Sequence, residues 1–384
     1  MPLKRSLIDE RQSSEIESVD LGAQMERVRH GIERAVAKVF DHGRFIMGPE
    51  VAELEEELTH YAGSRACVSC SSGTDALLMV LMAWGIGPGD AVFLPSFTFA
   101  ATAEVVALLG ASPVFVDVHE TTFNLDVESL EAAFDVAEGA GLQPVAIIGV
   151  DLFGLPADWS ALTDVARTRS LKLLADAAQS FGGGTPAGRV GTLADATTTS
   201  FFPAKPLGCY GDGGAIFTRD LDLAEALRSI RVHGQGESKY DTLRVGINGR
   251  LDTIQAAILL EKLKIFDAEL DARQRVATRY SAELRERLAV PLVPEGFRSA
   301  WAQYTVRVPR RDHVRAALED AGIPAAIYYP KPLHLQPAYS SALRSAKGLD
   351  VSDALSRDVL SLPVHPYLSD ADQSRVIKAL VDAI

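Results

Sequence analysis

Between residues 66 and 202, short apolar runs alternate with helix-length stretches, and this alternation limits the available folds more than any other feature of the chain. Residues 66–68 precede a helical pattern over 74–83, and residues 91–94 precede another over 98–109. The runs 113–116 and 145–150 have strand length, and each is followed by a helical stretch. Two more runs, 171–175 and 196–202, continue the series. Strands this continuously apolar must be covered on both faces, which predicts an α/β fold around a mostly parallel sheet.

The flanks are read in the same way. Met25, Val28, Ile32, Val36 and Val39 fall at helical spacing, and Gly43 stops that helix. Residues 250–284 contain neither glycine nor proline and predict one or two long helices. A strand at 302–308, a helix at 312–321, a strand at 325–329 and a terminal helix at 370–384 make a smaller α+β unit. The expected division is a large domain over 1–265, with a polar N-terminal arm at 1–18, and a small domain over 266–384.

Composition narrows the partners. A net charge of −13 argues against nucleic acid or an anionic membrane surface, both of which reward an excess of lysine and arginine. No stretch approaches the roughly 18 apolar residues of a membrane span. The opening MPLKRSLIDERQSSEIES lacks the apolar core of a secretion signal, so a cytoplasmic protein is expected. Cys67, Cys70 and Cys209 cannot form an even disulfide framework. The C-x-x-C at 67–70 has no second pair and reads as a buried strand, so no metal site is expected.

Chemistry concentrates in residues 173–215. The run 171–175 ends in Asp176, and the run 196–202 ends just before Lys205. An acid and a lysine at the ends of neighbouring strands suit a pyridoxal phosphate (PLP) enzyme: Asp176 can keep the pyridine nitrogen protonated, and Lys205 can form the Schiff base. The apolar setting of Lys205 in SFFPAKP would lower its pKa and make it a usable nucleophile. Buried without a cationic partner, Asp176 would be costly, and a pyridinium supplies one. Gly73 and Thr74, in SSGTD, stand between a strand and a helix start, where backbone N–H groups favour an anion. Ser200 can add a hydroxyl to the same phosphate site. Phe99 follows another strand end, placed to stack on a ring. The glycines between 208 and 214 lack the G-x-G-x-x-G spacing of a dinucleotide loop.

As a set, these residues resemble the DegT/StrS family of PLP-dependent nucleotide-sugar aminotransferases, which have the aspartate-aminotransferase (type I PLP) fold. The matching segments are SGTDAL at 72–77, DAAQSFG at 176–182, SFFPAK at 200–205, GDGGA at 211–215 and NGRLDTIQAA at 248–257, with RFIMGPEV and YYPKPLH where the family has related segments. The chain is most similar to the subgroup that aminates UDP-2-acetamido-3-keto-hexuronic acids. The resemblance implies that Lys205 carries the cofactor and moves the substrate proton, and that Asp176 holds the pyridinium. It places Gln179 beside the ring and its phenolic oxygen, and Phe99 stacked on the ring. Gly73, Thr74 and Ser200 would bind the phosphate, joined by Asn248 from the partner of a homodimer with shared active sites.

The expected reaction is transfer of the amino group of L-glutamate to a keto-sugar nucleotide. Arg250 is the candidate for the glutamate carboxylate, because a guanidinium fork suits a bidentate pair. Tyr328 is the second substrate-facing candidate, at a place where close relatives often carry histidine. Sugar dehydratases of the family carry histidine in place of the lysine, so Lys205 favours transamination. The alternatives are a keto-cyclitol or a dTDP- or GDP-linked keto-sugar as acceptor, a non-catalytic regulator on the same fold, and a nicotinamide-dependent oxidoreductase.

Overall fold

Helix ends follow local chemistry. The first helix, α1 (Leu21–His42), opens with the Asp20 carboxylate accepting from Ala23 N at 2.7 Å. It closes on Gly43, whose φ of 66° is the left-handed conformation that glycine adopts cheaply. Next, α2 (Pro49–Ala62) starts with proline in its first turn and ends at Gly63. The computed structural model describes residues 16–238 and 240–384. The arm expected at 1–18 therefore lies outside the described residues up to residue 15. Ile16 is buried, and its N–H donates to the Gly322 carbonyl at 3.1 Å.

From there the chain alternates as expected: β1 (Ala66–Cys70), α3 (Gly73–Ala83), β2 (Asp90–Pro95), α4 (Ala101–Leu108), β3 (Ser112–Val116), α5 (Val127–Gly139), β4 (Gln143–Val150), α6 (Trp159–Arg169) and β5 (Lys172–Asp176). A two-residue-per-strand hairpin, β6 (Gly184–Thr185) and β7 (Gly188–Arg189), leads to β8 (Ala196–Ser200), β9 (Gly214–Thr218) and α7 (Leu221–Ile230). After α8 (Thr253–Leu284) come β10 (Tyr304–Arg307), α9 (Arg311–Asp320), β11 (Leu343–Arg344), α10 (Asp350–Asp358), β12 (Val359–Leu362) and α11 (Asp370–Ala383).

The main sheet has eight strands in the order β1-β9-β8-β5-β4-β2-β3-β11. Only β9 runs antiparallel to its neighbours, so the sheet is mostly parallel and the α/β architecture is as expected. One apolar core joins a face of this sheet to α3, α4 and α7, and another joins the opposite face to α5 and α6. A further core gathers Val276, Tyr280, Tyr304, Leu360 and Val376 around the β10–β12 pair. Residue 265, the expected domain boundary, lies inside the unbroken 32-residue α8. β11, from beyond that point, pairs with β3 of the main sheet.

Four expectations are corrected. Residues 325–329 form no strand: Ala326 and Ser361 exchange two backbone hydrogen bonds, and the neighbouring Pro324, Pro330 and Pro332 have no N–H to extend the ladder. The long helix begins at Thr253 and the fourth at Ala101, leaving both Arg250 and Phe99 in the loops before them. The strand expected over 196–202 ends at Ser200, before Pro203.

Candidate active site

The parallel strands bring their C-terminal ends to one edge, and the candidate residues gather along it. Within the sheet Asp176 of β5 is paired with Thr198 of β8, and Ser200 of β8 with Gly214 of β9. Cys70 is opposite that same Gly214, so the loop after β1 reaches the end of β8 across one strand. A Cβ on Gly73 would stand 2.7 Å from the Ser200 Cβ, which measures how closely the two approach.

α3 starts on this edge. Ser72 caps it by accepting from Asp75 N at 3.0 Å, leaving the Gly73 and Thr74 N–H groups at the positions of a helix with no internal acceptor. These donors, the positive end of the helix and the Ser200 hydroxyl form a cradle suited to a phosphate. Gly73→Ala is expected to force Ser200 and the start of α3 apart, weakening cofactor binding by about 1–3 kcal/mol. Titrating the apo-protein with PLP checks this; unchanged affinity would mean that the close approach is not part of the binding site.

Asp176 is 7% exposed. Its carboxylate accepts from Thr102 Oγ1 at 2.9 Å and from Ala178 N at 3.3 Å. Burial pushes its pKa up, while those two bonds and the nearby Lys205 ammonium pull it down. Lys205 sits in the loop after β8, where its N–H closes a turn onto the Phe202 carbonyl at 2.8 Å. Burial pushes its ammonium below the ordinary lysine value, and the Asp176 charge opposes that shift. The Lys205 side chain makes no hydrogen bond or ion pair within the described residues. A buried carboxylate with a lone pair to spare and an amine without a partner fit a protonated pyridine carrying an aldehyde.

Gln179 is held from both ends: Oε1 accepts from Phe153 N at 2.6 Å, and Nε2 donates to Tyr329 Oη at 3.4 Å. Phe99 is 58% exposed with its ring centroid 6.3 Å from that of Tyr329. Tyr328 is partly exposed next to it. Asn248 is exposed, and the loop that carries it is tied to the phosphate loop by Ser71 N donating to the Gly249 carbonyl at 3.1 Å. Arg250 is half-buried, and its Nε is enclosed with no partner among the described residues.

Thr102 and Tyr329 were not singled out in the sequence. Thr102 is embedded in the small-residue run FAATAE, and nothing in its spacing marks it as the partner of an acid 74 residues away. Tyr329 is adjacent to Tyr328, and either could have been the inward-facing ring.

A sequence profile of the DegT/DnrJ/EryC1/StrS aminotransferase family matches residues 27–381. The chain belongs to this family. It is 47% identical over 368 residues to UDP-2-acetamido-2-deoxy-3-oxo-D-glucuronate aminotransferase of Pseudomonas aeruginosa, covering 96% of this chain and 100% of the relative. A crystal structure of a DegT DnrJ EryC1 StrS aminotransferase from Brucella abortus is 53% identical, with a TM-score of 0.94 over 96% of this chain and 99% of that one. The structure of NtdA from Bacillus subtilis with bound cofactor PMP is 28% identical, with a TM-score of 0.86 over 97% of this chain and 86% of that one. As a DegT-family member, the chain is a PLP-dependent aminotransferase. Among the described residues, no helix is long and apolar enough to cross a membrane.

Proposed function

We propose that this DegT-family enzyme moves the amino group of L-glutamate to a UDP-linked 3-keto-hexuronic acid, in the cytoplasm and as a homodimer with shared active sites. The observation that carries the chemistry is a Lys205 with no hydrogen bond or ion pair among the described residues, near enough to the buried Asp176 for each charge to act on the other. The choice of acceptor rests on the likeness, along the whole chain, to the Pseudomonas aeruginosa enzyme named for a UDP-linked 3-oxo-glucuronate.

When bound, PLP supplies a carbonyl for the donor's amine and a ring that withdraws electrons. The chain's residues do the rest. Asp176 keeps the pyridine nitrogen protonated. Lys205 Nζ takes the proton from the donor Cα and later returns one to the acceptor carbon, a step made efficient by being held in place. Gly73, Thr74 and Ser200 would hold the phosphate, Gln179 would meet the phenolic oxygen and Phe99 would pack against the ring. The partner subunit contributes its Asn248 to the phosphate; in a single chain that side chain is exposed, and the apolar Phe45, Ile46, Phe99 and Phe202 are exposed as well. Sedimentation at working concentration tests the dimer, and a monomer with full activity would overturn the shared site.

Arg250 is assigned to the carboxylate of glutamate and, in the second half-reaction, to that of the uronic acid, with Tyr328 beside the sugar. The buried, unpartnered Nε supports that role, since a guanidinium without a mate is poised for an incoming anion. Arg250→Lys loses the planar fork, so the half-saturating glutamate concentration should rise about tenfold or more, the worth of one charge-assisted bond of about 1.5–3 kcal/mol. PLP should remain bound. Unchanged kinetics would remove Arg250 from the site.

The acceptor is tested on protein first converted to its amino form by glutamate. UDP-linked 3-keto-hexuronate should restore the visible cofactor band faster than keto-cyclitols or dTDP- and GDP-linked keto-sugars. A faster response to any of these would replace the proposed substrate. A protein that binds PLP but turns over none of them would point to the regulatory alternative.

A further inference from the structure

In the loop after Lys205, Pro206, Leu207, Gly208 and Cys209 are all buried. Loops bury backbone only where their carbonyls find donors. Here the donors come from one stripe of α8. Gln255, Lys262, Glu269 and Arg273 are spaced by seven, seven and four residues, which places them along one side of the helix. Gln255 takes both ends of Tyr210: Oε1 accepts from Tyr210 N at 3.0 Å, and Nε2 donates to its carbonyl at 3.3 Å. Lys262 is only 1% exposed; its Nζ donates to the Gly208 carbonyl at 2.5 Å and lies 4.3 Å from the centre of the Tyr210 ring. Arg273 Nη1 reaches the Pro206 carbonyl at 3.4 Å.

We propose that Lys262, assisted by Arg273, is a positioning residue for Lys205, clamping the carbonyls of Gly208 and Pro206 so that the Lys205 side chain is aimed at the cofactor and at Asp176. An ordinary packing role would be filled by leucine or methionine, without the cost of burying a charge. Burial pushes the Lys262 ammonium down to about 8. Glu269, between the two cations on the stripe, favours the charged form of both. That carboxylate is itself fixed by Gln24 Nε2 at 3.0 and 2.8 Å, and by the Tyr367 hydroxyl. The clamp is therefore anchored to α1 and to the loop before α11, not to the loop it holds.

The loop leaves little slack. A Cβ on Gly208 would meet the Pro203 carbonyl at 2.5 Å, and Cys209 N donates to the Phe201 carbonyl at 2.8 Å. Residues on both sides of Lys205 are thus in contact, and a shift at 208 is transmitted to it. The inference rests on Lys205 as the PLP lysine.

The test uses Lys262→Met in the PLP-loaded enzyme, with Lys262→Gln as a second variant that retains a donor but falls short of the carbonyl. Both should bind PLP with an altered position or intensity of the visible band at fixed pH. The maximal single-turnover rate with L-glutamate should fall about 10²-fold, the effect of moving a catalytic group by about 1 Å. The half-saturating glutamate concentration should barely change, and Lys262→Arg should restore most of the rate. If either neutral variant folds with the wild-type band and rate, the clamp has no positioning role. A rate loss that Lys262→Arg does not recover would likewise reduce Lys262 to packing. A wild-type enzyme without the band would instead overturn Lys205 as the PLP lysine, so the two failures are distinguishable.

Discussion

Replacing Lys205 by alanine is expected to lower turnover by about 10⁴-fold, the upper end of what a positioned acid–base group supplies, and to abolish the visible band of the lysine-linked cofactor. Lys205 does two jobs in the proposed reaction: it holds PLP covalently between turnovers, and it carries the proton during them. Two neighbouring titratable side chains of the described site are already committed. Asp176 is committed to the ring nitrogen, and Tyr329 is kept protonated by burial while it accepts from Gln179. Lys205→Arg should be as inactive as alanine, because a guanidinium stays protonated in proteins and cannot act as base. Both variants should still take up PLP through Gly73, Thr74 and Ser200. The check is a paired measurement of glutamate half-reaction rate and spectrum; an alanine variant turning over near the wild-type rate would remove Lys205 from the centre of the mechanism.

Asp176→Asn is expected to cost about 3–5 kcal/mol of transition-state stabilisation, roughly 10²–10⁴-fold in rate, which is the range for deleting one partner of a buried charge pair. The amide keeps the shape: its oxygen can still accept from Ala178 N and its Nδ2 can donate to the Thr102 hydroxyl oxygen, so the fold should survive. What it loses is the negative charge that keeps the pyridine protonated, and with it the ring's capacity to withdraw electrons. Rapid-mixing measurements with glutamate check this, reading the rate and the PLP affinity separately. A variant that binds PLP normally and reacts at the wild-type rate would show that the ring nitrogen has no need of Asp176.

Much of this site could be read from residues because strand ends and their punctuation are local features. The apolar run ending in Asp176, the SFFPAK ending and the SSGTD helix start each declare their role within a few positions, and the parallel topology then carries them to one edge. What the sequence left unread is non-local. Thr102 meets Asp176 only because β2 and β5 flank β4, and Gln179 meets Tyr329 across 150 residues. The β9 strand belongs to the sheet through antiparallel pairing with both β1 and β8, which a βαβ reading does not anticipate. The strand expected at 325–329 does not form because the flanking prolines, Pro324 and Pro330, interrupt an otherwise strand-like run. The α8 stripe was hidden because lysine, glutamate and arginine in a long helix ordinarily read as solvated, and only tertiary packing turns them inward.

The most direct test of the central claim is the visible spectrum of the purified, PLP-loaded protein before and after addition of L-glutamate. The account predicts a yellow protein whose band bleaches with glutamate and returns with the keto-sugar acceptor. A yellow protein indifferent to glutamate would keep the cofactor and overturn the donor, and a protein that PLP cannot colour would contradict the role given to Lys205.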